Sequence, residues 1–194
     1  NLSYPLFVKP AKAGDSLGID EHSLVLDETG LLQKAASIID EYGPLLAEEY
    51  IKGREFTVML VANGNDERQV TVFRPVEYIF PEGRAFKTYA LKTSELHPEC
   101  NVPVTDETLE QELKDAAENI FKGFGGVGYA RLDFRMDENG KLFFLEINFT
   151  CSVFYKDGYE GSADYILKQD GTGQQAFLQM IIAEGMARHK RKQK

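Results

Sequence analysis

Tryptophan is absent from this sequence, histidine appears three times and cysteine twice. Cys100 and Cys151 cannot build a disulfide framework and show no metal-ligand spacing, so a reducing, cytoplasmic setting is the natural expectation. Basic charge is also short: 22 Lys and Arg stand against 31 Asp and Glu, for a net charge of −9. A general nucleic-acid binder needs a basic face to displace counterions from phosphates, and that class is excluded. No apolar run approaches the roughly 18–20 residues that cross a bilayer, so no membrane partner is expected. No secretory leader, internal repeat or low-complexity stretch is visible either. The first residue is Asn rather than Met, which is compatible with a fragment of a longer protein. What the chain does have is apolar material: 43% of 194 residues are hydrophobic and 11% aromatic, enough for one large domain or two small ones. The single basic cluster, at 189–194, reads as a solvated helix end whose cations suit the helix dipole.

The pattern interleaves strands and helices, which predicts an α/β or α+β class. Leu6-Phe7-Val8 reads as a strand closed by Lys9-Pro10, followed by a loop over 11–18. Residues 29–42 are helical in period, with Leu31, Leu32, Ala35, Ile38 and Ile39 on one side, and Gly43-Pro44 stops them. Strands are predicted over 45–51, 55–61 and 69–73. Residues 75–103 lack a clear period and read as a long functional loop with short strand pieces. Thr105 is placed to cap a helix carrying Leu109, Leu113, Ala116, Ala117, Ile120 and Phe121. A strand pair over 128–136 and 141–149 follows, and a helix over 173–191 closes the chain.

That strand pair carries the chemistry. Asn139-Gly140 lies between two alternating runs, and this dipeptide is the strongest short hairpin signal because both residues tolerate positive φ. A two-residue loop there sets Asp133 opposite Glu146 and Arg131 opposite Asn148; a four-residue loop changes the pairing but keeps all four on one face. Leu132, Phe134, Met136, Phe143, Leu145 and Ile147 fall on the other, core-facing side. Charged residues on the outer face of a hairpin are ordinary, and Asp–Arg neighbours can simply pair in solvent. A carboxylate facing a carboxylate, however, destabilises a hairpin unless a cation neutralises it. Two carboxylates and an amide oxygen on one patch make a hard-oxygen site suited to Mg²⁺, which would bridge phosphate oxygens.

Arg131-Leu132-Asp133 with Leu145-Glu146-Ile147-Asn148 resembles the metal-binding signature of the ATP-grasp superfamily, in its D-alanine–D-alanine ligase-like branch. The resemblance implies an α+β ATP-grasp fold with the nucleotide held between two subdomains, here 1–53 (a partial central subdomain) and 54–194 (the C-terminal subdomain). It implies that Asp133, Glu146 and Asn148 hold two Mg²⁺ ions, for which Mn²⁺ can substitute. Arg131 would stabilise the acyl-phosphate and the tetrahedral oxyanion. Leu6-Phe7-Val8-Lys9-Pro10 with 13–18 resembles the strand and glycine-rich loop of the same family, giving Lys9 and Ser16 phosphate contacts. Residues 46–58 look like its adenine-binding connection, with Glu48 accepting from the adenine amino group, the Ile51 backbone pairing with the ring edge and Glu55 on the ribose. Lys87 stands where relatives place another phosphate-contacting lysine, and solvent exposure is its alternative. Ser162 begins a helix near which the family binds a substrate carboxylate; simple capping is the alternative there.

Two departures qualify the resemblance. The family's N-terminal substrate domain does not precede Asn1, so the chain is expected to be a fragment, poor in turnover or dependent on the missing segment. After Asn148 the chain reads Phe149-Thr150-Cys151-Ser152 where D-alanine ligases carry a Pro-Gly turn, which puts D-alanine as substrate in doubt. Cys151 reads as a small buried thiol rather than a nucleophile. The expected activity is ATP-dependent joining of a carboxylate to an amine, with an amino acid or peptide on each side. An ATP-grasp phosphotransferase and a nucleotide-binding interaction module without turnover are the rivals. Self-association, or association with the missing segment, is left open.

Overall fold

The computed structural model describes residues 2–14, 16–64, 66, 69–83, 86 and 98–193. The chain divides into two compact units, one of residues 1–52 and 80–97, the other of 53–79 and 98–194.

The first unit is a three-stranded antiparallel sheet in the order β2-β1-β3, built from β1 (Leu6–Pro10), β2 (Leu24–Val25) and β3 (Leu45–Glu49). One helix, α1 (Glu28–Tyr42), covers it. The Asp27 carboxylate caps α1 by accepting from the Gly30 amide at 2.9 Å. Alternation along β1 sends Leu6 and Val8 inward to Val25 and Ile38, leaving Phe7 and Lys9 on the other face. The inner face of α1 differs from the expected one. Ile38 is buried, but Leu32 and Ile39 are 63% and 59% exposed, and Lys34 takes an inner position instead. At about 100° per residue, Ile39 and Leu32 stand roughly 100–120° round the helix from Ile38, too far to reach so small a sheet. Lys34 lies close to the Ile38 direction, and its ammonium escapes the apolar layer to donate to the Gly18 carbonyl at 3.0 Å and to Asp20 at 2.8 Å.

The second unit is a six-stranded antiparallel sheet. Its strands are β4 (Gly53–Ala62), β5 (Val70–Val72), β6 (Val76–Tyr78), β7 (Asn101–Pro103), β8 (Tyr129–Asp137) and β9 (Leu142–Phe149). They run in the order β7-β6-β4-β8-β9, with β5 also pairing β4. The central strand β4 is buried on both sides. Phe56, Val58 and Leu60 pack on α2 (Glu107–Gly123) through Leu109, Leu113, Ala117 and Phe121. Met59 and Val61 pack on α3 (Ser162–Asp170) and α4 (Gly173–Lys192) through Ala163, Ile166, Leu167 and Phe177. Burying one large apolar side chain this way stabilises by roughly 1.5–3 kcal/mol. Gly53 starts β4 at φ +146°, and a Cβ there would lie 2.0 Å from the Met136 carbonyl oxygen, so only glycine lets β4 and β8 meet at this end.

The α2 cap corrects an expectation. Asp106, not Thr105, accepts from the Thr108 and Leu109 amides, at 2.9 and 3.0 Å. A carboxylate serves better there because its charge also suits the positive end of the helix. The 75–103 stretch does contain short strands, β6 and β7, joined to a 3-10 turn at Pro98–Cys100. Among the described residues, no helix is long and apolar enough to cross a membrane.

Candidate nucleotide and metal site

The β8–β9 hairpin places Asp133 opposite Glu146 and Arg131 opposite Asn148, as expected, but reaches that register by another route. Asp137 accepts from the Asn139 and Lys141 amides, both at 2.9 Å, and its own amide donates to the Lys141 carbonyl at 3.0 Å. This closes a three-residue loop in place of the two- or four-residue loop read from the sequence. Near the turn the pairs are Met136 with Leu142, Arg135 with Phe143 and Phe134 with Phe144. A β-bulge between Asp133 and Phe134 then absorbs Leu145 and restores the expected register at the functional end. The consequence on the apolar side is a swap. Leu142, rather than Phe143, joins the core, while Phe143 lies under the Lys141 ammonium at 4.8 Å.

The four polar groups form one connected set. Arg131 Nη2 donates to Asp133 Oδ2 at 2.9 Å and stands 4.0 Å from Glu146 Oε1. Asn148 Nδ2 donates to the same Glu146 oxygen at 2.9 Å. The Asp133 charge pushes the guanidinium pKa upward against the opposing effect of burial, so Arg131 is a permanent cation. One guanidinium against two carboxylates still leaves the face negative. Among the described residues no cluster of three or more His, Cys, Asp or Glu is arranged to hold a metal. The donor set here is two carboxylates and an amide, which fits a hard cation that takes its remaining oxygens from phosphate and water. On the same sheet face, Glu55 pairs with Arg135 and Thr57 with Asp133 across β4 and β8. Both Glu55 and Arg135 are buried, and Arg135 donates to the Gly53 carbonyl at 3.1 Å. The buried arginine was missed; its signal is a third charge in the alternating series Arg131, Asp133, Arg135.

In the first unit, Lys9 Nζ and Glu48 Oε1 form an ion pair at 2.7 Å on the outer face of the small sheet. Phe7 shares that face, with ring centroids 6.4 Å from Tyr50 and 5.0 Å from Phe86. Ile51 is half-buried just beyond β3. Ser16 sits in the left-handed region at φ +59°, in a turn where the Leu17 amide donates to the Gly14 carbonyl at 3.0 Å. Gly18 closes the loop at φ +73°, and a Cβ would meet the Pro10 ring at 2.6 Å. Lys34 anchors this loop and was also missed; a lysine between Leu31 and Ile38 on an apolar face is the legible sign. Lys87 lies outside the described residues.

Ser162 is the first residue of α3, and the N-cap position belongs to Gly161. Capping is done instead by buried Asp164, which accepts from the Gly161 amide at 3.2 Å, the Phe154 amide at 2.9 Å and Gln174 Nε2 at 2.8 Å. Asp164 thereby ties down the segment after Asn148, where Thr150 and Phe154 adopt φ +55° and +72°. Tyr129 adds a hydroxyl bond to the Cys151 carbonyl at 3.1 Å. Burial pushes the Cys151 thiol up to about 11, so it is a neutral packing group at physiological pH.

With this geometry in hand, residues 1–154 match the family described as D-ala D-ala ligase C-terminus. The chain belongs to this family. The D-alanine–D-alanine ligase of Dechloromonas aromatica (strain RCB) is 35% identical over 149 residues, which is 76% of this chain and 45% of that protein. The ligase of Desulfotalea psychrophila is 37% identical over 152 residues, again 76% of this chain and 44% of the relative. The chain therefore spans less than half the length of the curated relatives it matches. Among solved structures, the VanG D-Ala:D-Ser ligase from Enterococcus faecalis superposes with a TM-score of 0.70 at 23% identity, over 95% of this chain and 50% of that one. The Bacillus anthracis D-alanine–D-alanine ligase complexed with ATP gives 0.69 at 18% identity, over 97% and 55%. The fold is that of the C-terminal part of these ligases, the ATP-grasp fold.

Proposed function

We propose that this member of the D-ala D-ala ligase C-terminus family is the nucleotide- and magnesium-binding part of an ATP-dependent carboxylate–amine ligase. The connected set Arg131, Asp133, Glu146 and Asn148 carries the reading. Asp133, Glu146 and the Asn148 amide oxygen would hold Mg²⁺, which supplies charge neutralisation at the phosphates. Arg131, fixed by Asp133, is positioned to stabilise charge on the transferring phosphoryl group and then on the tetrahedral oxyanion. In the first unit, now read as the partial central subdomain, Lys9 and Ser16 are assigned to phosphate. Glu48 and the Ile51 backbone are assigned to adenine, and Lys87 to phosphate. Glu55, in the second unit, is assigned to ribose. Ser162, at a helix N-terminus, is assigned to the substrate carboxylate.

The chemistry runs in two displacements. A substrate carboxylate oxygen attacks the γ-phosphorus and ADP leaves; the nitrogen of a neutral amine then attacks the acyl carbon, phosphate leaves, and the nitrogen gives up one proton to phosphate or water, forming the amide. The residues' share is orientation and charge stabilisation. The proposal covers an amino-acid or peptide pair rather than D-alanine specifically, because Thr150, Cys151 and the Asp164 tether stand where the Pro-Gly turn is absent. A reducing cytoplasm suits its two free thiols.

Thermal stabilisation by MgATP and ADP release with paired candidate substrates test this together. A ligase releases ADP and phosphate only when both a carboxylate and an amine are present. ADP without phosphate replaces the proposal with phosphotransfer, and stabilisation without ADP replaces it with a binding module. No stabilisation by MgATP removes the nucleotide reading.

A further inference from the structure

The basic tail does more than complete a helix. At the far end of the second unit lies a cleft of about 770 Å³, walled by Lys122 at the end of α2, by Gly126 of the following loop, and by Glu184, Arg188, Arg191 and Lys192 of α4. Among the described residues four cations line it against the single lining carboxylate of Glu184, with Glu118 paired to Lys122 behind the rim, in a chain whose net charge is −9. A helix C-terminus carries about half a negative charge, which one cation would balance. Three of these cations come from α4 and the fourth from the last turn of α2; Glu184 and Glu118 pair with two of them, and the two helix ends together offset about one more, so positive charge remains in excess.

The walls are built rather than loose. Arg191 Nη1 donates to the Gly64 carbonyl at 2.5 Å, binding the β4–β5 turn to α4. Gly64 itself touches α4, where a Cβ would lie 2.8 Å from the Ala183 carbonyl. Arg188 Nε donates to Glu184, which is only 3% exposed, at 3.0 Å, and this holds the guanidinium at the cleft. On the opposite wall Gly126 lies so close to the Phe121 ring that a Cβ would meet it at 2.5 Å. Lys122 and Lys192 are exposed at the rim, Lys122 paired with Glu118 one turn back on α2 at 2.5 Å.

We propose that this cleft binds a small polyphosphate-bearing anion, separately from the hairpin site. Arginine forks match phosphate oxygens in pairs, and the volume falls within the roughly 300–1,000 Å³ of small-molecule sites, large enough for more than one phosphate. The cleft opens at the Ala62–Gly128 end of the sheet, where the Ala62 amide meets the Gly128 carbonyl. Asp133 lies five residues along β8 from there, roughly 16 Å at about 3.3 Å per residue.

The probe is inorganic tripolyphosphate, titrated calorimetrically into the intact chain with EDTA present. Saturable binding is expected, steeply weakened by salt, and at least tenfold weaker in the double variant Lys122→Gln/Lys192→Gln. Both side chains are exposed, and circular dichroism verifies that the variant stays folded. Binding is expected to be unchanged in Glu146→Gln and in Lys9→Ala. ADP with EDTA, run alongside, separates sources: equal affinity assigns the phosphates alone, tighter binding assigns a nucleotide polyphosphate. Absence of saturable binding overturns the proposal. So does binding that survives the double variant, and its loss in Lys9→Ala would then assign the phosphates to the first unit instead.

Discussion

The two units solve the same problem, presenting charged groups on a sheet, with very different resources. Among the described residues the first has one core cluster of four buried side chains, Leu6, Val8, Val25 and Ile38. The second has two, spread over both faces of a longer sheet and including Phe56, Phe134 and Phe177. Its polar set stands on paired strands flanked by packed residues, so Arg131 and Asp133 are held by backbone geometry. In the first unit Lys9 and Glu48 also sit on strands, but the loop bearing Ser16 turns on Gly18 and is tied down by Lys34. The difference teaches that a polar face held by paired strands and a loop held by side-chain anchors can be written into one short chain with cores of different size.

The largest effect that would sharpen this contrast is Phe134→Ala. Losing a fully buried ring is expected to cost about 3–5 kcal/mol and to melt the second unit, read as a drop in urea midpoint. Ile38→Ala is expected to cost about 2–4 kcal/mol but to raise amide exchange only over the first unit. A uniform rise across both units would break the comparison. Next, Lys34→Met keeps the apolar stem and removes both anchoring bonds. About 1–2 kcal/mol is expected, with faster exchange at Leu17 and Ile19 and no change in β8 or β9. The smallest effect is pH-dependent. Burial raises the Asp20 carboxyl pKa, but the Lys34 hydrogen bond and charge outweigh it, leaving the group below its ordinary 3.8. A depressed carboxylate stabilises at neutral pH and loses that contribution as pH falls through the lowered value. Acid titration is therefore expected to loosen the first unit below about pH 4, and Asp20→Asn to flatten that dependence.

The same contrast governs how much could be read beforehand. The hairpin was legible because alternation and Asn139-Gly140 are local signals, and they fixed which four polar groups share a face. The turn was misread because Asp137 captures two backbone amides, and the bulge at Leu145 has no compositional mark; the two deviations cancel at Asp133 and Glu146. The face of α1 was misread because a small sheet has room for Ile38 but not for Leu32 or Ile39, and sheet width is not a property of the helix sequence. The cap on α2 slipped by one residue because Thr105 and Asp106 both carry capping oxygens. The tail is the solvated helix end that was expected, with His189, Lys190 and Lys192 exposed in the last turn of α4; the approach of Lys122 to Arg188 is a tertiary fact, visible only once α2 and α4 end at the same edge.

The central claim is that Asp133, Glu146 and Asn148 receive a divalent cation together with nucleotide. Paramagnetic broadening by Mn²⁺, recorded with and without ATP on isotope-labelled protein, tests it most directly. Broadening centred on the β8–β9 residues 131–133 and 146–148, strengthened by ATP and lost in Glu146→Gln, is the predicted result. Signals at those residues that stay sharp at saturating Mn²⁺ and ATP would contradict it.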